Sequence, residues 1–375
     1  MLFDNKIGIS DSDAAENFRN WISERIPEAD DLKVRKFERP KDSGFSNITI
    51  LIDISWRQDG TDRSQSLVAR VEPVGETLFQ HYDVEFQFNV MKKLAQTDVA
   101  VPTVLWNEKN PDVLGAPFFV MEHVQGEIPS DDPSFAAPGS WVMSLEPDQR
   151  ALLVDNGLKS LVAVHQLDWK ELGLDFVART GEGDTSAARE LAHYENFYSW
   201  AVGTDNCEVI DEAISWAKEN LPQGEEVGLS WGDSRIGNMI FDDSFSVVSV
   251  IDWEGATLSS PEKDLGHWLH LSRAFTEEFG FALPEGFPSR EEVVSRYEEL
   301  SGRPTANVHF YEVMSGIHGA IQANRALRLM MKADIIPNDP NSLSNNPFTR
   351  ALAKLIGHEL PETGGLATIS GSPSR

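Results

Sequence analysis

Cysteine is almost missing from this 375-residue chain. Cys207 stands alone, which excludes an internal disulfide and any zinc site built from several thiolates. Basic residues are scarce as well: 32 Lys and Arg face 60 Asp and Glu, for a net charge of −28. That balance works against nonspecific nucleic-acid binding, where cations must neutralise phosphates, and against docking on anionic membranes. No window reaches the roughly 18 consecutive apolar residues needed to span a bilayer. The opening MLFDNKIGISDSDAAENF lacks the basic stretch and apolar core of a secretory signal. The motifs H-E-x-x-H, G-x-S-x-G and G-x-x-x-x-G-K-[ST] are absent too, which removes three common routes to catalysis. The expectation is a cytoplasmic protein, 41% hydrophobic and 25% charged, long enough for two unequal domains.

The periodicity changes along the chain. After a helical opening at 12–26, SGFSNITILIDISW (43–56) gives a polar turn around Gly44. A strand follows in which Ile48, Ile50, Ile52 and Ile54 alternate. SLVARV (66–71) predicts the next strand. Residues 76–95 predict a helix with Val84, Phe88, Met91 and Leu94 on one face. VPTVLW (101–106) and APFFVMEHV (116–124) predict two strands joined by the turn-rich NEKNPDVLG. Strand, strand, helix, strand, strand with short connections argues for a small antiparallel α+β lobe. Helical spacing then dominates at 146–167, 186–220 and 289–332, interrupted by a hairpin at 238–252. Segments 126–140 and 333–348 are loop-like. The expected organisation is an N-terminal lobe at 1–124, a C-terminal lobe at 125–360 and a disordered tail at 361–375.

The chemistry is concentrated in LSWGDSRIGNMIF (229–241) and the VIDWEG (250–255) that follows. Met239–Phe241 and Val247–Ile251 form the two arms of the hairpin around the polar DDSF turn. Pairing of these arms sets Asn238 beside Asp252 at the open end, with Asp233 in the entering loop. Taken singly, Asp233 suits an aspartate turn, Asn238 a strand start and Asp252 a strand-ending cap. Taken together they are three oxygen-bearing side chains converging at one edge. Two oxygen ligands that leave room for water and phosphate suit Mg²⁺. A third carboxylate just off the metal can take a proton from an attacking hydroxyl, the division of labour of kinase-type phosphoryl transfer.

These residues resemble the aminoglycoside phosphotransferase and choline kinase branch of the protein-kinase-like fold. The likeness is strongest to the group related to the kinase-like domains fused to some acyl-CoA dehydrogenases. The family pattern H-G-D-x-x-x-x-N, a hairpin and I-D-W-E reads here as Trp231-Gly232-Asp233, Asn238 and Ile251-Asp252-Trp253-Glu254. The resemblance implies a bilobal α+β fold with a small antiparallel-sheet N-lobe and a larger, mostly helical C-lobe. It implies Asp233 as the catalytic aspartate, with Asn238 and Asp252 as Mg²⁺ ligands. Asp264, in PEKDL, becomes the buried acid that braces the loop. The resemblance also implies an ATP site. DSGFSN supplies Ser43, Gly44, Phe45, Ser46 and Asn47 over the phosphates, Arg70 is the phosphate-binding cation and Glu85 its mid-helix partner. The backbone from Glu122 to Val124 would be the hinge that meets adenine. Covering about residues 30–330, the likeness departs from its pattern at one point, where Trp231 replaces histidine. An indole has one donor and no acceptor, so the bracing of the loop must differ.

His165, on an apolar helix face, is expected to be a satisfied core histidine. The late helix carries His318, Arg325, Arg328 and Lys332 on one face. Salt bridging to acidic neighbours is the plain reading, and an anion-binding acceptor wall the sharper one. Arg235, Glu254, Arg325 and Arg328 are the candidate acceptor contacts. The expected function is an ATP- and Mg²⁺-dependent kinase of a small-molecule hydroxyl, such as a hydroxyacyl-CoA or another metabolic alcohol. An aminoglycoside phosphotransferase, a catalytically silent nucleotide-binding scaffold and a metal-dependent hydrolase are the rivals.

Overall fold

The computed structural model describes residues 7–40, 46–203 and 205–361. The chain divides into two compact units. One comprises the residues up to Gln96 with Val101–Gln125; the other comprises Thr97–Ala100 and the chain from Gly126 onward.

The first unit is a five-stranded antiparallel sheet with strand order β1-β2-β3-β5-β4. The strands are β1 (Asp30–Glu38), β2 (Ile48–Gln58), β3 (Thr61–Val71), β4 (Val104–Glu108) and β5 (Phe118–Glu122). The four alternating isoleucines of β2 are all buried, as a period of two on a half-covered sheet requires. They form one core with Ala14, Phe18, Trp21 and Ile22 of α1 (Asp11–Ser23) and with Leu67, Ala69, Val71, Phe118 and Val120. Ser10 caps α1 by accepting from the Asp13 N–H.

Three differences from the expected elements stand here. β1 was not anticipated: its DDLKVRKFE is charged and mostly solvent-facing, the composition of an edge strand rather than of a hydrophobic run. The helix expected at 76–95 is only α2, Val84–Leu94, because the Asp83 carboxylate accepts from the Phe86 N–H and fixes the N-cap there. β4 likewise begins at Val104 rather than at 101.

The second unit is mostly helical. Its helices are α3 (Pro147–His165), α4 (Ser186–Val202), α5 (Glu208–Glu219), α6 (Glu262–Phe275), α7 (Arg290–Ser301), α8 (Val308–Lys332), α9 (Asn341–Ser344) and α10 (Pro347–Ile356). Two small antiparallel pairs lie among them: β6 (Gly228–Ser230) with β9 (Thr257–Ser259), and β7 (Met239–Phe241) with β8 (Val247–Val250). α10 enters the segment expected to be loop up to 348. Asn346 caps it by accepting from the Phe348 and Thr349 N–H groups, with proline next in sequence.

α6 and α8 pack without a gap at Gly266. A Cβ there would sit 2.6 Å from the Tyr311 carbonyl carbon, so only glycine permits this approach. Among the described residues no helix is long and apolar enough to cross a membrane. Residues 362–375 of the expected tail lie outside the described residues.

Candidate functional site

β6 delivers the chain into the 231–238 loop, and β9 returns alongside β6 with Gly228 opposite Ser259. Asp264, in the first turn of α6, holds that loop. Its Oδ1 accepts from Ser230 Oγ and the Gly232 N–H, each at 2.8 Å. Its Oδ2 accepts from the Trp231 N–H at 2.6 Å and from His165 Nε2 at 2.9 Å. Burial alone would raise this carboxyl. The His165 hydrogen bond, the positive charge of Lys263 and the Gly232 N–H outweigh burial and hold it down to about 2. His165 is buried, with Nδ1 meeting the Tyr297 hydroxyl at 2.7 Å. It is the satisfied interior histidine expected, and it also touches the aspartate that braces the loop. The Asp264 carbonyl accepts from Ser234 Oγ at 2.6 Å.

Trp231 is fully buried, and its Nε1–H donates 3.0 Å to the Ile251 carbonyl. The indole packs on Trp253 with ring centroids 5.9 Å apart. The changed bracing therefore has a concrete form: a single donor ties the loop to the strand end just before Asp252. Gly232 has φ +94°, and a Cβ there would lie 2.0 Å from the Gly255 oxygen, so this turn also requires glycine.

The hairpin forms, but with Ile251 rather than Asp252 opposite Asn238 and a register shift between Ile240 and Phe241. Met239 pairs with Val250, and the Ile251 N–H donates to the Asn238 carbonyl at 3.0 Å. Asp252 follows directly, in the left-handed region at φ 63°. Asn238 Nδ2 donates to Asp233 Oδ2 at 2.7 Å and to the Asp233 carbonyl at 3.1 Å. Asn238 is only 4% exposed, and its Oδ1 takes no hydrogen bond among the described residues. A side-chain carbonyl oxygen without a hydrogen bond, with a carboxylate one residue past its strand partner, fits a hard cation that keeps part of its water shell. Among the described residues no three His, Cys, Asp or Glu side chains gather as a metal cluster.

Asp233 receives more donors than the sequence suggested. Arg235 donates Nε to Oδ1 at 2.9 Å and Nη2 to Oδ2 at 3.2 Å. Arg235 also pairs through Nη1 with Asp131. Burial draws the Arg235 guanidinium down to about 10, against the opposing pull of Asp252 and Glu254, so it remains a cation at neutral pH. Those influences bring Arg235, Asp252 and Glu254 into one electrostatic group. His267 of α6 meets Asp233 Oδ1 through Nε2 at 3.0 Å. The sequence reading named neither His267 nor Asp131. His267 did carry a signal, because it lies three residues after Asp264 on the same helix face; Asp131 sits in an irregular segment with none. Beside the loop a small pocket is lined by Asp131 and Arg235 and by Phe135, Trp268, Phe275 and Phe287.

The remaining expected residues divide. Ser46 and Asn47 are buried just before β2, whereas Ser43, Gly44 and Phe45 lie outside the described residues. Arg70, on β3, donates to Thr49 Oγ1 at 2.8 Å. Glu85 is not mid-helix: it stands in the first turn of α2, and its ion pair is with Lys109, at 2.7 Å, rather than with Arg70. The late N-cap at Asp83 moved it there. Glu122 accepts from Gln65 at 3.2 Å, and its N–H donates to the Thr103 carbonyl. The His123 N–H donates to the Ser66 carbonyl, and the Val124 main chain takes no partner among the described residues. Arg328 pairs with Asp205 at 2.8 Å, as the salt-bridge reading has it, and the Arg325 guanidinium lies 4.6 Å over Trp200.

Against known proteins, the chain resembles rat acyl-CoA dehydrogenase family member 11, with 31% identity over 68% of this chain and 31% of that protein. It resembles mouse acyl-CoA dehydrogenase family member 10 at 31% identity over 73% of this chain and 25% of that protein. The chain thus spans about a third or less of these relatives. Among solved structures, one described as an aminoglycoside phosphotransferase from Ralstonia eutropha aligns with TM-score 0.65 and 22% identity, over 91% of this chain and 95% of that one. Plasmodium vivax ethanolamine kinase aligns with TM-score 0.56 and 14% identity, over 90% and 84%. These alignments identify the bilobal, protein-kinase-like α+β fold. The profile of the phosphotransferase enzyme family matches residues 42–301, and the chain belongs to that family, enzymes that move a phosphoryl group onto a small-molecule hydroxyl.

Proposed function

We propose that this chain is an ATP- and Mg²⁺-dependent kinase of a hydroxylated acyl thioester or another metabolic alcohol. The observation that carries the reading is the state of Asn238: its amide nitrogen is committed to Asp233 and its side-chain oxygen takes no hydrogen bond among the described residues, at the hairpin end that leads into Asp252. In this proposal Asn238 and Asp252 hold Mg²⁺, which when bound offsets the negative charge of the nucleotide phosphates. Asp233 orients the acceptor hydroxyl and takes its proton as the hydroxyl oxygen bonds to the γ-phosphorus and the bond to the bridging oxygen breaks. Asp264 keeps the loop in place. Arg235, already a cation, supplies positive charge near the transferring group. Ser46, Asn47 and Arg70 would face the phosphates, and the Val124 backbone the adenine. Little covalent chemistry is asked of the protein, so positioning supplies most of the rate.

Two things favour the thioester over a polycationic antibiotic as acceptor. The pocket beside Arg235 has mainly aromatic and aliphatic walls, which suit an acyl chain better than several ammonium groups. The relatives' names also tie them to acyl-CoA. Mass spectrometry of hydroxyacyl-CoA and aminoglycoside panels after incubation with ATP and Mg²⁺ tests the reading. Expected is an added phosphate on the former only, abolished in Asp233→Asn. Nucleotide binding with no acceptor phosphorylated by the wild type would instead favour the silent scaffold.

A further inference from the structure

α6 meets the loop with two side chains one turn apart. Asp264 takes the main-chain donors of residues 231 and 232, and His267, three residues on, reaches the Asp233 carboxylate itself. His267 is held at both ends. Nε2 lies 3.0 Å from Asp233 Oδ1, and Nδ1 lies 2.8 Å from the hydroxyl of Ser315 on α8, which is buried. Facing a carboxylate, Nε2 must carry the proton. Nδ1 then accepts from the Ser315 O–H when the ring is neutral, which fixes the tautomer.

We infer that His267, oriented by Ser315, is a positioning residue that sets the rotation of the Asp233 carboxylate for proton abstraction. This rests on the phosphotransfer role proposed above for Asp233. The donor arrangement explains why a separate residue is needed. Each Asp233 oxygen has two donors: Oδ1 has Arg235 Nε and His267, and Oδ2 has Arg235 Nη2 and Asn238. Arg235 bridges both oxygens and is shared with Asp131, so it does not choose between them. Asn238 fixes Oδ2 from the hairpin side, and His267 fixes Oδ1 from the α6 side. With Arg235 drawn towards incoming phosphate, these two neutral-capable donors would still hold the plane of the carboxylate. A 1 Å misplacement of a reacting group can reduce turnover about 100-fold.

The test compares His267→Gln, His267→Asn, His267→Phe and Ser315→Ala with wild type. Turnover of Mg·ATP is followed with water and with the hydroxyacyl-CoA panel as acceptors, and thermal midpoints are recorded alongside. The Gln side-chain nitrogen reaches the position of imidazole Nε2, whereas that of Asn reaches only the position of Nδ1. Expected is a fall in kcat of roughly 10- to 100-fold for Phe and Asn, with KM for ATP within about twofold and recovery by Gln to within about fivefold. Ser315→Ala should lower kcat by a smaller factor. Turnover by His267→Phe within twofold of wild type overturns the inference, as does a Gln variant no better than Phe. Should Phe fail to fold, the Gln against Asn comparison decides. A wild type that neither binds nor turns over Mg·ATP defeats the phosphotransfer reading itself. In that case histidine-selective ¹⁵N NMR still reads the contact: the His267 Nε2 signal should move in Asp233→Asn, and an unmoved signal overturns the pairing.

Discussion

Replacing Asp264 by asparagine exchanges a carboxylate that accepts at both oxygens for an amide that accepts at one. The structure makes the consequence calculable. Oδ1 takes Ser230 Oγ and the Gly232 N–H, and Oδ2 takes the Trp231 N–H and His165 Nε2. Either orientation of the amide turns an NH₂ group on a main-chain N–H, that of Gly232 or that of Trp231, which cannot reverse its role as the Ser230 hydroxyl can. Hydrogen bonds to a charged acceptor contribute about 1.5–3 kcal/mol each, so the substitution costs at least about 1.5–3 kcal/mol, a sizeable share of the 5–15 kcal/mol typical of a folded domain. Urea unfolding near neutral pH, followed by tryptophan fluorescence, measures it, since Trp231 and Trp253 are fully buried against the affected loop. Phosphoryl transfer should fall in parallel because Asp233 follows Gly232 in the same loop. A shift below about 1 kcal/mol with an unchanged denaturant slope would refute the reasoning: the four contacts would then not be holding the loop.

His270 is buried on α6, neither ring nitrogen has a partner among the described residues, and burial followed by the charges of His267 and Arg273 pushes its pKa down to about 3. The unfolded state protonates near 6.5, so stability is full above that pH and declines as pH falls towards 3, by about 2 kcal/mol at pH 5. Thermal midpoints of His270→Leu should decline less than wild type between pH 7 and 5, and parallel curves would count against the assignment. Trp231→Phe leaves the Ile251 carbonyl without the indole donor and should lose roughly 1–2 kcal/mol. Trp231→His, which restores the family residue, should lose about 3 kcal/mol through the cavity it opens, both measured by urea midpoint. Gly232→Ala meets the Gly255 oxygen at 2.0 Å in a left-handed turn and should lose at least ~2 kcal/mol together with ATP turnover.

Much of the fold was legible because its signals are local. Four alternating isoleucines in β2 can only line one face of a sheet, and all four are buried. The D-x₄-N and I-D-W-E spacing brought Asn238 against Asp233 and set Asp252 one residue beyond its strand partner. What failed to show depended on contacts remote in sequence or on a boundary. β1 is an edge strand whose charges hide it from a hydrophobic pattern. Glu85 was misplaced because one cap, Asp83, shortened its helix. Asp131 stands in an irregular segment, and only tertiary contact pairs it with Arg235.

The fit of α6 against α8 at Gly266 has a practical consequence for anyone altering this chain. The same helix that abuts Tyr311 carries both Asp264 and His267, so a displacement of that seam moves the bracing of the loop and the aim of its aspartate as one piece. A bulky substitution there would disarm the chemistry from beneath while every reacting side chain stayed intact, and a screen confined to the loop would overlook it.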